Sequence, residues 1–561
     1  MIFTKKYLAA VFILCTALFL LQSNSIFAQK NSLDSMIIVS TGSFRATIAD
    51  ASKLNEAPVV SDSTKKIAVK EYDFSSKKIT PGYEVTSITP AQMQGEPLTK
   101  LYNGLVKLGM GTYTTPYAEV WYNHLRSKEY AYGLRMKHLS SRATLQDYGF
   151  AGFSDNEISL YGKKFLKEHT LSGDFDYARN VVRFYGYDAK LHDLEKDATV
   201  QRFNLFSANA QLLSHYSKPQ RYNHLVKLSY YNLADLYKSS ENNIKASGYV
   251  QTSLYKELFR VNASVDYYNY KTKLDTINNT IITLNPNFIA KGDKYSAQIG
   301  VSVVMDMFVQ SKFYFYPKVD LSYNVFDEII IPYIGASGGL QKNSFKSLTD
   351  NNPFLLSDVT MKNSNQKYEL YGGLKGTLSS NIAYNARASY QTVGNMAMYV
   401  NDTKDLLQNR FDVIYDEVDL LNVTGEVAYQ NREKLKISLR GDYFNYKTKT
   451  QLRAWYKPDM AITLSANYNL KDKIVVKADL FYLGTQYAKT FVDDSTSITG
   501  LKVVAKELKG VFDANLGIEY RYNKKLGFFI NLNNIANVRY MRYINYPTQR
   551  FSLMGGLSYS F

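Results

Sequence analysis

Three C-terminal segments decide the fold: Val511-Phe-Asp-Ala-Asn-Leu-Gly-Ile-Glu-Tyr-Arg521, Leu526-Gly-Phe-Phe-Ile-Asn-Leu-Asn533 and Phe551-Ser-Leu-Met-Gly-Gly-Leu-Ser-Tyr-Ser-Phe561. In the first, Phe512, Ala514, Leu516, Ile518 and Tyr520 alternate with Asp513, Asn515, Gly517, Glu519 and Arg521. In the second, Leu526, Phe528, Ile530 and Leu532 face Gly527, Phe529, Asn531 and Asn533; in the third, Phe551, Leu553, Leu557, Tyr559 and Phe561 face Ser552, Ser558 and Ser560. A period of two sends successive side chains to opposite sides, so each segment reads as a strand with one apolar and one polar face. Earlier segments repeat the pattern, as in Ile437, Leu439 and Tyr443 against Lys436, Ser438, Arg440 and Asp442, and it extends back to Leu101. A soluble sandwich alternates in the same way, so alternation alone leaves the class open.

Composition narrows the choice. The chain has 561 residues, 67 Lys+Arg against 50 Asp+Glu (net +17), 48 Tyr, 12 Pro and one Cys. Collagen, disulfide scaffolds and wholly disordered chains are excluded. The only long apolar run is 7–21, which excludes a helical membrane bundle. Lys5 and Lys6 precede that run and Ser25-Ile-Phe-Ala28 follows it, so residues 1–28 read as a secretory signal, with an uncleaved anchor as the alternative. Cys15 leaves with the signal, and thiol chemistry leaves with it. The basic residues are spread over strand faces and turns, so no nucleic-acid partner is expected.

An exported chain without a spanning helix crosses a bilayer as a closed barrel, because every backbone group must pair. Tyr and Phe crowd strand ends, as in Tyr230-Tyr231, Tyr267-Tyr268-Asn269-Tyr270, Tyr443-Phe444-Asn445-Tyr446 and Tyr520-Arg521-Tyr522, as interfacial girdles require. Short connections at 291–294, 469–473 and 522–525 alternate with longer ones at 142–155, 187–199, 344–365, 402–410 and 492–510. Short turns are expected in the periplasm with both chain ends, and long ones outside. The expected organisation is a signal peptide (1–28), a polar periplasmic or lumenal leader (29–100) and an outer-membrane β-barrel (101–561). The fold class is all-β, a transmembrane antiparallel β-barrel of about 22 strands. Its polar faces pair both signs: Arg260 with Asp266, Glu369 with Lys375, Arg440 with Asp442, Lys477 with Asp479, and Glu519 with Arg521. Pointing inward, these ten are candidate lumen residues, serving either a solute or one another.

The run Ile530-Asn-Leu-Asn-Asn-Ile-Ala-Asn-Val-Arg-Tyr540, followed by Tyr546-Pro-Thr-Gln-Arg550 and a last strand ending on Phe561, resembles the C-terminus of TonB-dependent outer-membrane receptors. Gly109-Met-Gly-Thr-Tyr-Thr-Thr-Pro-Tyr117, with Tyr122–Lys128 and Lys137–Ser141, resembles a plug-poor, Bacteroidetes-type branch of such barrels. The resemblance implies a 22-strand barrel, transport or binding of a solute, and Tyr559 and Phe561 as the signal read by the barrel assembly machinery. Members carry a globular plug ahead of the barrel. Here 72 residues (29–100) precede the first strand and a VPGV-like motif is absent, so an extended leader and no full plug domain are expected. Asp34-Ser35-Met36-Ile37-Ile38-Val39 resembles a TonB box, which would make TonB a partner; an ordinary leader segment is the alternative. Outer-membrane lipids and an outer-membrane protein or lipoprotein are further expected partners.

The six histidines fall between His124 and His224 with no pair at metal-ligand spacing, and read as turn and lumen residues. No nucleophile signature, phosphate loop or zinc spacing is present. No enzyme, metal or cofactor is expected. Transport or pore formation leads, a structural or assembly subunit is second, and a lipid-modifying enzyme third.

Overall fold

The structure, a computed structural model, describes residues 102–561 apart from 125–126, 217–221, 255–256, 309 and 494–500. The signal segment, the leader and the segment 34–39 lie outside the described residues.

Twenty-two strands form one closed antiparallel sheet. Each pairs with the next around the ring, from Gly104–Gly111 against Thr115–Asn123 to Leu526–Asn533 against Ser552–Ser560. The last strand then pairs with the first, Lys107 opposite Ser558 and Gly109 opposite Gly556. Closure leaves no edge, the condition for a sheet whose outer face is apolar and unable to satisfy backbone groups. The strand number follows the sequence expectation, and the longest connections all lie at one end; strict alternation does not hold, since 112–114, 236–239 and 272–275 at that end are shorter than 215–222 at the other. One correction concerns 492–510: that connection begins after Leu483 and contains a separate hairpin, Gln486–Asp493 against Leu501–Leu508.

Side-chain alternation divides the wall as the period-two pattern requires. Leu108, Met136, Leu160, Leu228 and Ile299 are exposed on one face. On the other, Lys107 reaches Glu519 at 3.6 Å and Tyr117 meets Phe529 edge-on at 6.0 Å, each across strands that are not neighbours. Contacts that skip strands form on the concave side, where side chains converge, so the charged face is the inner one. At the closing seam the Phe529 ring lies over two inner-face glycines. A Cβ on Gly556 would stand 2.4 Å from that ring and 2.2 Å from the Leu108 carbonyl oxygen.

The wall is uneven. Ile382–Asn401 and Phe411–Asn431 have 20 and 21 residues, whereas Gly104–Gly111 and Ser552–Ser560 have 8 and 9. At about 3.4 Å per residue the tall strands stand far beyond an apolar band of roughly 25 Å. The main buried apolar cluster sits not in the wall's middle but among the long connections, where Phe345, Phe411 and Trp455 have no exposed surface. Among the described residues no helix is long and apolar enough to cross a membrane.

Candidate functional site

All long connections emerge at the end opposite the two ends of the barrel chain, and they fold onto one another. The connection 342–363 carries the helix α1 (Phe345–Asn351). Ser344 caps it in a reciprocal capping box with Ser347, satisfying two otherwise orphan N–H groups, and Pro353 follows its C-cap Asn352. Phe345 and Leu348, three apart, share its buried side.

Wall residues hold this connection along its length. Glu241 Oε2 accepts the Phe345 N–H at 2.5 Å, and Lys342 Nζ pairs with Asp266 Oδ1 at 2.8 Å. The Tyr270 hydroxyl donates to the Ser357 carbonyl at 2.6 Å, as does the Ser239 hydroxyl, while Tyr415 donates to Thr360 O at 3.0 Å.

Other connections complete the cap. Asn409 Nδ2 donates to Phe184 O at 2.6 Å, and the Tyr546 hydroxyl donates to Asn409 O. Tyr185 donates to Pro547 O at 3.0 Å and Tyr543 to Asn351 O at 2.8 Å. Phe354 stacks on Tyr546 with ring centroids 3.9 Å apart. Phe184 and Asn409 follow strands ten places apart in the 22-strand ring, so their bond spans nearly the full mouth. Burial pushes the hydroxyls of Tyr185, Tyr456, Tyr543 and Tyr546 above the ordinary tyrosine value.

Outside the cap, between 142–152, 184–199, 402–410 and 534–551, lies a cavity of about 570 Å³ lined by Asp147, Tyr148, Asp188, His192, Gln408 and Arg539 among others. Arg539 donates to Gln146 O and lies over Tyr148 at 5.1 Å. Asp147 pairs with Lys190 at 2.7 Å, which raises the lysine's pKa.

The ten charged residues singled out in the sequence share the inner face by register, but only two of their five pairings occur. Arg440 meets Asp442 at 2.8 Å and Arg521 meets Glu519 at 3.0 Å. Arg260 binds Gln251 at 2.8 Å, Asp266 takes Lys342 and Lys245, and Glu369 takes Arg387 at 2.5 Å. Lys375 lies over the Tyr333 ring at 5.4 Å, and Asp479 accepts from Ser465 at 2.6 Å. The two pairs that form are i, i+2 neighbours on one face, whereas Arg260–Asp266 and Glu369–Lys375 stand six rises apart along their strands, so those residues turn to partners on other strands and connections. Tyr559 and Phe561 are outward and half-exposed; Phe561 closes the ring through reciprocal backbone bonds with Gly104 at 3.0 Å each.

Two expectations are corrected. The histidines are not all turn and lumen residues: His124 does lie in the short connection 124–129, stacked with Tyr130 and Tyr132 at 5.0 and 4.9 Å, but His169 and His224, in contact at 5.3 Å, stand on the outer face of their strands near the short turns. The tyrosine clusters are not wholly girdle. Tyr267 and Tyr443 are exposed outward, whereas Tyr268 and Tyr270 are buried inward beneath the cap, and Tyr446 packs against its core. The cap itself escaped the sequence reading. Its one local signal is Ser344-Phe-Lys-Ser347-Leu, a capping box opening onto apolar residues inside a supposed loop.

No family model matches the sequence, and no curated protein sequence does. Solved structures do match. The pyoverdine outer membrane receptor FpvA from Pseudomonas aeruginosa PAO1 is 11% identical with a TM-score of 0.62, covering 82% of this chain and 79% of its own. The FrpB iron transporter from Neisseria meningitidis is 9% identical with a TM-score of 0.63, covering 83% and 82%. The siderophore receptor PirA from Acinetobacter baumannii is 10% identical with a TM-score of 0.63, covering 83% and 81%. The likeness establishes the fold: a 22-strand barrel like those of these outer-membrane receptors and transporter.

Proposed function

We propose that the chain is a non-enzymatic outer-membrane barrel that binds or passes a solute through its charged lumen and is gated at its outer mouth by its own connections. The observation that carries this is the bond from Asn409 to Phe184 across the mouth, set in a buried aromatic cluster. A static open pore needs no such cluster, whereas a gate needs an element with two arrangements. Short turns and both ends of the barrel chain are placed in the periplasm and the cap outside. Segment 34–39 acts in this reading as the site where TonB couples.

Solute permeation into liposomes tests the proposal, using the chain without residues 29–100, with and without the Asn409→Ala/Tyr546→Ala pair. Swelling that requires the pair supports gating. Absence of swelling in both leaves no solute path and contradicts it.

A second reading, a scaffold for another outer-membrane protein or lipoprotein, draws on the hairpin Gln486–Leu508. It is a sheet separate from the ring, packs Ala488 and Leu508 into the cap's core and exposes Phe491, Val492 and Val503. A stoichiometric partner lost on replacing Phe491 and Val503 by Ser would favour it.

A further inference from the structure

On the outer face the strands Asn223–Asp235, Ser240–Leu254, Glu257–Lys271 and Thr276–Lys291 bring four asparagines into one straight row. Asn232 stands opposite Asn242, Asn242 opposite Asn269, and Asn269 opposite Asn278. The row lies near the long-connection end. One step toward the short turns, Tyr230 and Tyr267 occupy the same face, and below them begins the apolar belt of Leu228, Val265 and Leu284. With 13 to 16 residues at about 3.4 Å and a tilt of about 40°, these strands rise to roughly 35–40 Å, beyond an apolar band of about 25 Å. The asparagines therefore sit at headgroup level.

The row is pre-arranged. Asn232 Nδ2 and the Tyr230 hydroxyl both donate to Asn242 Oδ1, at 2.9 and 3.1 Å. Asn269 Nδ2 and the Tyr267 hydroxyl both donate to Asn278 Oδ1, at 2.7 and 3.2 Å. Two carbonyl oxygens thus hold four side chains in place, while the amide N–H groups of Asn242 and Asn278 have no partner among the described residues.

Charge in the rows beside the asparagines is of one sign. The next outward row, toward the cap, carries Arg179 and Lys271 in register through Asn204, Ala234 and Ser240, and Arg202 lies one step beyond. Arg179 and Lys271 are exposed. These rows hold no carboxylate between strands Phe153–Phe165 and Thr276–Lys291. The opposite wall differs, since Glu417 there takes both Lys367 and Lys449. Aligned amides suit hydroxyl-rich sugars, and unpaired cations suit phosphates.

We propose that the asparagine row with Arg179, Arg202 and Lys271 is a docking surface for the phosphorylated glycolipid of the outer leaflet. The sugar hydroxyls pair with Asn242 and Asn278, and the phosphates with the cations. A protein partner is the less favoured occupant: the apolar residues of the asparagine row, Ile158, Tyr177 and Phe206, continue the lipid-facing belt, with Phe206 packed on Phe175 and Tyr230, and the cations beside the row ask for an anionic ligand.

This surface rests on the orientation given under Proposed function, and the experiment separates the two. Full-length protein is exchanged in detergent with purified rough-type lipopolysaccharide or with phosphatidylglycerol, and bound lipid is counted by native mass spectrometry. Wild type is compared with Arg179→Gln/Lys271→Gln and Asn242→Leu/Asn269→Leu, each checked for a heat-modifiable folded band; Arg179→Gln alone serves if either pair fails to fold. The expected result is selective retention of lipopolysaccharide by wild type, weakened about fivefold per lost cation, with phosphatidylglycerol unchanged. Equal retention by wild type and variants overturns the surface while leaving the barrel reading intact. Loss of a co-purifying protein from the asparagine variant, with lipopolysaccharide retained, overturns it in favour of a protein partner. A wild type that never folds into lipid overturns both readings.

Discussion

Asn409 Nδ2 donates to the carbonyl oxygen of Phe184 at 2.6 Å, and the two residues follow strands ten places apart in a ring of 22. The pair joins nearly opposite walls of the barrel, and the Tyr546 hydroxyl locks it from a third connection. Replacing Asn409 by Ala leaves the Phe184 carbonyl without its donor in a buried setting, a cost of about 1–3 kcal/mol. Tyr546→Ala removes a buried aromatic side chain at about 3–5 kcal/mol. Hydrogen exchange in 184–199 and 402–410 is expected to quicken by about 5- to 150-fold in Asn409→Ala and more in the pair, with wall amides unchanged. Uniform quickening throughout would mean that the cap is not a separate unit.

Glu241 governs the connection 342–363. Its carboxylate accepts the first helical N–H, and the Tyr231 hydroxyl donates to it as well. Glu241→Gln keeps an acceptor and is expected to leave α1 protected. Glu241→Ala strands a buried N–H and is expected to expose α1 to limited proteolysis within 342–363. Equal cleavage of the two variants would remove Glu241 from this role.

Alkali is expected to open the cap before the wall. Burial holds Tyr185, Tyr456, Tyr543 and Tyr546 above the ordinary value near 10. A group raised in the folded state contributes stability that is full below the unfolded value and lost as pH climbs past it toward the folded one. Tyrosinate absorbance should therefore rise in two stages, the second coinciding with proteolytic sensitivity of 534–551 while far-ultraviolet β signal persists. A single stage near pH 10 without cleavage would contradict this.

The seam offers a contrast. Gly556→Val would drive a Cβ into the Leu108 carbonyl and the Phe529 ring, and is expected to abolish the heat-modifiable band. Gly425→Ala, where an added Cβ meets nothing within 4 Å, is expected to leave it intact. Similar bands from both would show that closure tolerates a side chain at the seam.

The wall was legible in the sequence because its rule is local. Alternation of Phe512 with Asp513 fixes a face wherever the strand sits, and turn signals such as Tyr522–Lys525 fix the hairpins. Partnerships were not legible, because they depend on register and on distant connections. Asp266 takes Lys342, 76 positions onward, instead of Arg260. Tyrosine identity misled for a related reason: the residue suits both a headgroup layer and a buried cap with a carbonyl to bind. Parity separates them, since Tyr267 points outward and Tyr268 inward from adjacent positions.

The central claim is that the connections themselves close the outer mouth. Single-channel conductance of the chain lacking residues 29–100, with its cap intact, tests it most directly. The account predicts a silent membrane with brief openings at most, and a steady large conductance would contradict it.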